Sequence, residues 1–334
     1  MGLFGQKREE DGLDRVLRVL YDRVSQAATT TSDFASDRNK AAQLLANRHT
    51  YRAIRHINKA KKIAEKTNTT SNTEYIDVLI AESLARIQAG EHRKAQEAAA
   101  KAVDLQPNNL LALITQGAVY RQGSDSSRKN KNKLDWALGR IGLGERGKVV
   151  PRYTSAITAL EKVAGILEST APAAGVTVEE KNSLARALYL NLGAVLKSAI
   201  TNKVKPENTE NLMKTVQAYH KAYLAEPYVA DAESLVIHKS LSQYCSKLFN
   251  AMRNSASDQQ ENTNTQALDA YRLAQNQIGK TGLQAHLIRS QKLMLAYEKD
   301  NRFIVPILNL AEHHRDLHRI FKKIYHQREK STVA

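Results

Sequence analysis

One stretch of 49 residues, EYIDVLIAESLARIQAGEHRKAQEAAAKAVDLQPNNLLALITQGAVYRQ (residues 74–122), decides the fold of this chain. Its apolar and small residues recur at helical spacing: Leu79, Leu84, Ile87, Ala95, Ala98, Ala99 and Ala102. Gly90 stands where a first helix should end, and Pro107 follows the end of a second. The stretch therefore predicts three helices joined by two turns. The alanines of the second helix also predict a narrow face, on which another helix can approach closely.

This stretch resembles a tetratricopeptide (TPR) repeat, a helix pair with a 34-residue period. The resemblance rests on residues that fall on the repeat's turn and signature positions: Gly90, Ala95, Ala102, Pro107, Leu113, Gly117 and Tyr120. A second, weaker match follows: Tyr189, Leu192, Gly193, Tyr219, Ala222 and Pro227. The resemblance implies an all-α fold, a right-handed superhelical array of antiparallel helix pairs with enlarged turns and capping helices.

We divide the chain on this basis into three parts. Residues 1–32 hold an N-terminal amphipathic helix and a polar break. Residues 33–280 hold the TPR-like repeats, with a basic insert at about 124–150, a single long helix at 34–66 and a degenerate pair that includes 266–279. Residues 281–334 form a C-terminal basic helical cap.

The N-terminal helix has one apolar face at i, i+3, i+4 and i+7 spacing. The residues of this face are Leu13, Val16, Leu17, Leu20, Tyr21 and Val24. Such a helix either caps the array or docks on a partner protein or a membrane surface.

The resemblance also implies a binding groove, because TPR arrays line a concave surface with residues of the first helix of each pair. By register these positions are Asp77, Ile80, Leu84, Ile87, Leu111, Ile114, Ala118, Arg121, Ala187, Leu190, Ala194 and Lys197. TPR domains of the chaperone-tail type hold carboxylates with Lys and Asn where this chain has Ile80 and Leu84. The predicted groove is therefore mainly apolar and suits an amphipathic helix, from a partner or from this chain. The same positions also fit ordinary packing.

Basic residues lie in line along the second half of the predicted helix 34–66. They are spaced by three or four residues: Arg48, Arg52, Arg55, Lys59, Lys62 and Lys66. At about 100° per residue this spacing predicts a continuous basic stripe opposite Ala53, Ile57 and Ala60. Such a stripe is either a solvated face or a site for an acidic partner.

A second basic segment follows Tyr120 and interrupts the repeat. Its cations are Arg128, Lys129, Lys131, Lys133, Arg140, Arg146 and Lys148. The glycines Gly142, Gly144 and Gly147 match phosphate-binding fingerprints in spacing alone. Those motifs need a preceding strand, and Val149 replaces the hydroxyl residue that would bind magnesium. We therefore expect a basic loop and no nucleotide cofactor.

Composition limits the remaining classes of function. The chain has 334 residues, a net charge of +16 and one cysteine, Cys245, which excludes an intrachain disulfide framework. No apolar stretch has the length of a membrane span or a secretory signal, so we expect a cytoplasmic protein. His314 and His318 are four residues apart, but no full ligand set completes a metal site. No nucleophile or acid–base motif suggests an enzyme.

Two functions remain from the sequence. The first is a non-catalytic scaffold or adaptor, a subunit of a larger assembly, that holds an acidic protein or an amphipathic helix through the groove and the stripe. The second is a nucleic-acid-associated repeat protein, in which the basic stripe, the insert and the C-terminal part contact phosphates. Peripheral membrane contact is a third use of the same charge.

Overall fold

The structure, a computed structural model, describes residues 12–26, 32–70, 73–129, 149–169, 178–227, 229, 231–255, 282–299 and 305–333. These residues form helices and their connecting turns, and no strand occurs among them. In chain order the helices are α1 Gly12–Gln26, α2 Asp33–Ala46, α3 Thr50–Lys66, α4 Thr73–Gln88, α5 His92–Leu105, α6 Leu110–Lys129, α7 Val149–Ser169, α8 Val178–Thr201, α9 Thr209–Ala225, α10 Ala232–Ser255, α11 Gly282–Lys299 and α12 Val305–Val333. The prediction of an all-α fold is confirmed.

Contacts between residues divide the chain into two compact units at Val204 and Lys205. In the N-terminal unit (residues 11–204), α2 packs on α3, α4 on α5, and α6 on α7. Helix α8 packs on α6 and α7. Consecutive helices thus form packed pairs, which is the arrangement expected of a helical repeat. The division predicted from the sequence, at residues 32 and 280, follows the repeat pattern and not the contacts between residues, and it stays a prediction.

Helix α4 lies at the centre of this unit. It contacts α5, α3, α6, α1 and α2, and its residues from Tyr75 to Ala85 are all buried. The narrow face of α5 lies against its neighbours, since Ala95, Ala99 and Ala102 are fully buried. Between the two helices, the hydroxyl of Ser83 donates a hydrogen bond of 2.8 Å to the carbonyl oxygen of Ala95. The small residues of α5 therefore let it pack closely on a helix that is buried on all sides.

Gly90 ends α4 as the sequence predicts. Its φ of 79° is left-handed. The Gly90 amide donates to the carbonyl of Ile87, and the Glu91 amide donates to the carbonyl of Arg86. These two bonds form a Schellman motif, which satisfies carbonyls that the end of a helix leaves without partners.

The same motif splits the predicted helix 34–66 into α2 and α3, so that prediction was wrong. Arg48 has a φ of 59°, its amide donates to Leu45, and the amide of His49 donates to Leu44. The left-handed residue here is an arginine, which gives no sequence signal for a helix end. Residues 50–66 then pack back on α2 as the second helix of a pair.

Gly117 permits a close approach between α6 and α7. A Cβ atom at this position would lie 2.6 Å from Cγ of Leu160, whose side chain is fully buried. Glycine at this signature position therefore has a packing reason, because any side chain there would displace Leu160.

In the C-terminal unit, α9 packs on α10, α10 on α12, and α11 on α12. Cys245 of α10 is buried, and burial raises the pKa of its thiol. The predicted helical segment at 266–279 lies outside the described residues.

Candidate functional site

Helix α1 packs against the helices that carry the predicted groove positions. Helix α1 packs on α8, α2, α6 and α4, and three of these helices, α4, α6 and α8, begin tens of residues after α1 ends. Helix α1 therefore does more than cap one end of the repeats, because it crosses three of the helices that the TPR register places along the groove.

The groove positions are correspondingly buried. Those that are buried comprise Asp77, Ile80, Leu84, Ile87, Leu111, Ile114, Ala118, Arg121, Ala187 and Leu190. Ala194 and Lys197, toward the end of α8, are half-buried. Assignment of these residues to partner binding stays a prediction, since burial also fits ordinary packing.

Side chains of α1 make polar contacts with the helices beneath it. Arg23 lies 3.6 Å from the carboxylate of Asp77 on α4 and 3.7 Å from that of Glu180 on α8. Nearer the N-terminus of α1, the guanidinium of Arg15 donates a hydrogen bond of 3.1 Å to the hydroxyl of Ser183. These contacts join α1 to defined residues of α4 and α8.

Asp77 is the most perturbed carboxyl of this surface. Burial raises its pKa to about 6, while the cations of Arg23 and Arg38 lower it and Glu74 raises it slightly. Arg38 is buried and pairs at 3.1 Å with Glu74. Asp77 therefore changes charge near pH 6, in a place where an arginine of α1 meets it.

The basic stripe lies on the exposed side of α3. All six predicted cations are exposed, whereas Ala53, Ile57, Ala60 and Ala64 on the opposite side are buried. Arg48 is in the left-handed turn before the helix and not in register with the rest. We call the other five the α3 basic face: Arg52, Arg55, Lys59, Lys62 and Lys66.

Within the described part of the chain, no residue of the α3 basic face forms an ion pair. The ion pairs of α3 lie on its flanks, where Lys61 pairs with Glu82 at 2.7 Å and His56 contacts Asp37 at 2.6 Å. Asp33 and Asp37 line a shallow cleft between α2 and α3 together with Lys59 and Lys62, without an ion pair to either lysine. The cations of this face are thus exposed and form no ion pair within the described residues.

Sequence reasoning missed one residue of this surface. The side chain of Tyr51 is 73% exposed, one position before Arg52. At about 100° per residue it lies on the side of the helix that carries the cations, one turn from Arg55. The sequence contains the signal for this position, because Tyr51 lies opposite Ala53, Ile57 and Ala60 by the same helical spacing.

Two other predicted sites are located only in part. Arg128 and Lys129 belong to the end of α6, so the helix continues into the predicted insert, and the remaining insert cations lie outside the described residues.

In the C-terminal unit, Nδ1 of His314 lies 3.0 Å from Nδ1 of His238, whereas His318 donates from Nδ1 to the carbonyl of Leu235. The described residues contain no group of three potential metal ligands.

Comparison with known proteins gives no assignment, since no family model and no curated protein matches the sequence. Among the helices described, none is both long and apolar enough to cross a membrane.

Proposed function

We propose that this protein is a cytoplasmic, non-catalytic adaptor with a TPR-like superhelix, and that its α3 basic face binds an acidic segment of a protein partner. The observation that carries the proposal is the row of five exposed cations on one side of α3, without ion pairs among the described residues. The Schellman turn at Gly90 and the contact of Gly117 with Leu160 support the TPR register.

The charge of the α3 basic face is not needed for folding. The opposite side of the helix supplies the packing through Ala53, Ile57, Ala60 and Ala64. Exposed like charges at i and i+4 destabilise a helix by a few tenths of a kcal/mol per pair. A chain that keeps five such cations in a row therefore carries a small cost, which a bound polyanion would offset.

The spacing of these cations indicates the shape of the partner. From Arg52 to Lys66 the face extends about 21 Å at 1.5 Å per residue. The cations alternate at three and four residues, so an acidic helix with carboxylates at the same spacing would meet them along its length. Electrostatic complementarity of this kind increases the association rate and the salt dependence of binding.

The test uses charge reversal on the full chain. Arg52→Glu, Arg55→Glu and Lys62→Glu together should abolish recovery of acidic proteins from a nuclease-treated lysate. The matched control reverses three cations that already have ion partners, namely Arg93, Lys94 and Lys214. It changes the net charge equally and should leave recovery unchanged. Equal recovery with all three proteins would show that the α3 basic face is only a solvated surface.

A second candidate, binding of single-stranded nucleic acid, is favoured by Tyr51. Exposed aromatic residues beside cations stack on bases in a way that tolerates many sequences. Tyr51→Ala should then weaken the binding of a labelled single-stranded oligonucleotide about tenfold or more, since stacking contributes about 1–3 kcal/mol per base. Binding of an acidic peptide should not change. Loss of all captured partners after nuclease treatment would favour this candidate over the adaptor.

A further inference from the structure

The position of α1 differs from that of a helix lying on a flat surface. The buried residues of α1 are Leu13, Arg15, Val16, Leu17, Val19, Leu20 and Val24. At about 100° per residue they cover roughly 200° of its circumference. A helix on one side of a fold needs an apolar stripe of only about 100°. Helix α1 therefore lies in a channel, with helices on more than one side.

The remaining arc of α1 faces away from the unit. Its exposed residues are Arg18, Tyr21, Asp22 and Ser25. The other helices pair with one another without α1, because α2 packs on α3, α4 on α5, α6 on α7, and α8 on α6 and α7. Helix α1 is thus an outer layer on a unit whose other helices keep their own packing partners.

The groove and α1 are complementary in charge at one end. Asp77 and Glu180 contribute carboxylates from two different helices, and Arg23 of α1 approaches both within 3.7 Å. This end of the groove therefore suits a cation, although the whole chain has a net charge of +16.

We propose that α1 is a replaceable ligand of this groove, an intramolecular occupant that competes with a helix of the same chemistry from a partner. The competing helix has apolar residues at i, i+3, i+4 and i+7, and an arginine three positions after the fourth of them, as Arg23 follows Leu20. Helix recognition in a groove works through such anchors. The inference concerns a different surface from the α3 basic face and does not depend on it.

A tethered occupant controls access to the groove through its effective concentration. A short linker supplies a concentration in the millimolar range, so a free helix of equal intrinsic affinity is excluded until the tether is cut or the partner binds more tightly. The groove is thus closed to weak ligands and open to a partner that makes better contacts than α1.

The experiment cuts the tether in the full chain. A protease site is placed within residues 27–31, and the purified protein is cleaved there. A fluorescent peptide of residues 12–26 is then added to the cut and to the uncut protein, and anisotropy is measured while circular dichroism follows helix content. We expect the peptide to exchange into the cut protein, to be excluded by the uncut one, and helix content to be maintained.

Matched peptides test the contact with the groove. Arg23→Gln should weaken binding to the cut protein about tenfold, between the effect of an exposed ion pair and that of a fully buried one. Asp22→Asn, which changes the exposed side of α1, should have no effect. In the cut protein, Asp77→Asn should remove most of the difference between the Arg23→Gln and unmodified peptides.

Three outcomes would overturn the proposal. In the first, the cut protein retains its own α1 over days without exchange. In the second, the cut protein unfolds as α1 leaves. Either result would show that α1 is an integral core helix. Alternatively, the peptide binds the uncut protein with the same affinity, which places it on another surface.

Discussion

Arg23 and Asp77 join the first helix of the chain to its most central one, with Nη1 of the arginine 3.6 Å from Oδ1 of the aspartate. The Asp77 side chain is almost completely buried, whereas that of Arg23 is about a quarter exposed. The carboxylate therefore loses most of its hydration and receives a cation that remains partly solvated. This imbalance explains why its pKa is raised despite the neighbouring guanidinium.

The raised pKa of Asp77 predicts how the N-terminal unit responds to pH. Because the folded carboxyl titrates near pH 6 and the unfolded one near pH 4, the folded state holds more protons between these values. The contribution of Asp77 to the free energy of unfolding therefore falls as the pH rises through 6. Asp77→Asn should remove this trend, which amounts to about 2–3 kcal/mol between pH 4 and pH 7.

Amide hydrogen exchange in α4 measures that difference for the N-terminal unit alone. At each pH, the opening free energy of the variant is subtracted from that of the unmodified chain. The contributions of the other titrating groups are the same in both proteins and cancel in this difference. Asn58→Ser, at an exposed position of α3 that carries no titrating group, is the control, and its difference should not depend on pH. A pH-independent difference for Asp77→Asn would show that this carboxyl titrates normally.

Gly117→Ala should destabilise the chain by about 1–3 kcal/mol, because the added methyl group overpacks a fully buried contact with Leu160. The matched control is Gly165→Ala in α7, where a Cβ meets nothing within 4 Å. Alanine in that open helical position should instead stabilise by up to about 1 kcal/mol. Urea unfolding followed by circular dichroism measures both. Equal effects at the two positions would contradict the close approach of α6 and α7.

Lys203→Gly should stabilise the end of α8. Lys203 has a φ of 57°, and its amide and that of Val204 form the bonds of a Schellman motif with Ile200 and Ala199. A side chain in the left-handed region costs about 1 kcal/mol, which glycine avoids. The gain should appear as a higher midpoint of thermal unfolding. Lys203→Ala removes the same charge and should give no gain, and a gain from alanine would assign the effect to charge instead.

In the C-terminal unit, the buried His220 should give the opposite response, a stability that falls as the pH is lowered. Burial lowers its pKa to about 4, and the backbone at Ser290 opposes this only in part. Between about pH 4 and 6.5 the unfolded chain binds the proton and the folded one does not. The stability due to neutral His220 is therefore complete above pH 6.5 and is lost toward pH 4, by about 3 kcal/mol.

Hydrogen exchange in α9, compared between the unmodified chain and His220→Gln, measures this loss. The difference in opening free energy should shrink as the pH falls from 7 to 4. His326, which is exposed near the end of α12, provides the control substitution. If α9 keeps its full protection at pH 4 in the unmodified chain, His220 is not a buried neutral histidine.

Local sequence signals predicted the helix pairs well. Gly90 and Pro107 stand next to the ends of α4 and α5, and the alanines that the spacing singled out in α5, Ala95, Ala98, Ala99 and Ala102, are buried. These predictions succeed because helix termination and helical spacing depend on residues within a few positions of each other. The break between α2 and α3 was missed because its local signal is absent. Arg48 adopts a left-handed conformation, which an arginine side chain does not favour.

The candidate sites were predicted less completely. The exposure of the α3 basic face follows from charge spacing on one helix, and it is visible in the sequence. The exposure of Tyr51 follows from the same spacing, which places it opposite Ala53, Ile57 and Ala60. The contact of Asp77 with Arg23 cannot be derived from local spacing, because the two residues belong to helices that are distant in the sequence.

The sequence by itself determined an all-helical chain, the approximate ends of most of its helices, and the row of cations along α3. Only the tertiary structure decided that α1 packs on α4, α6 and α8, with Arg23 beside Asp77 and Glu180. The physical reason is that an amphipathic pattern specifies that a face must be buried but does not specify against what. The choice of partner depends on shape and charge complementarity between helices that are distant in sequence.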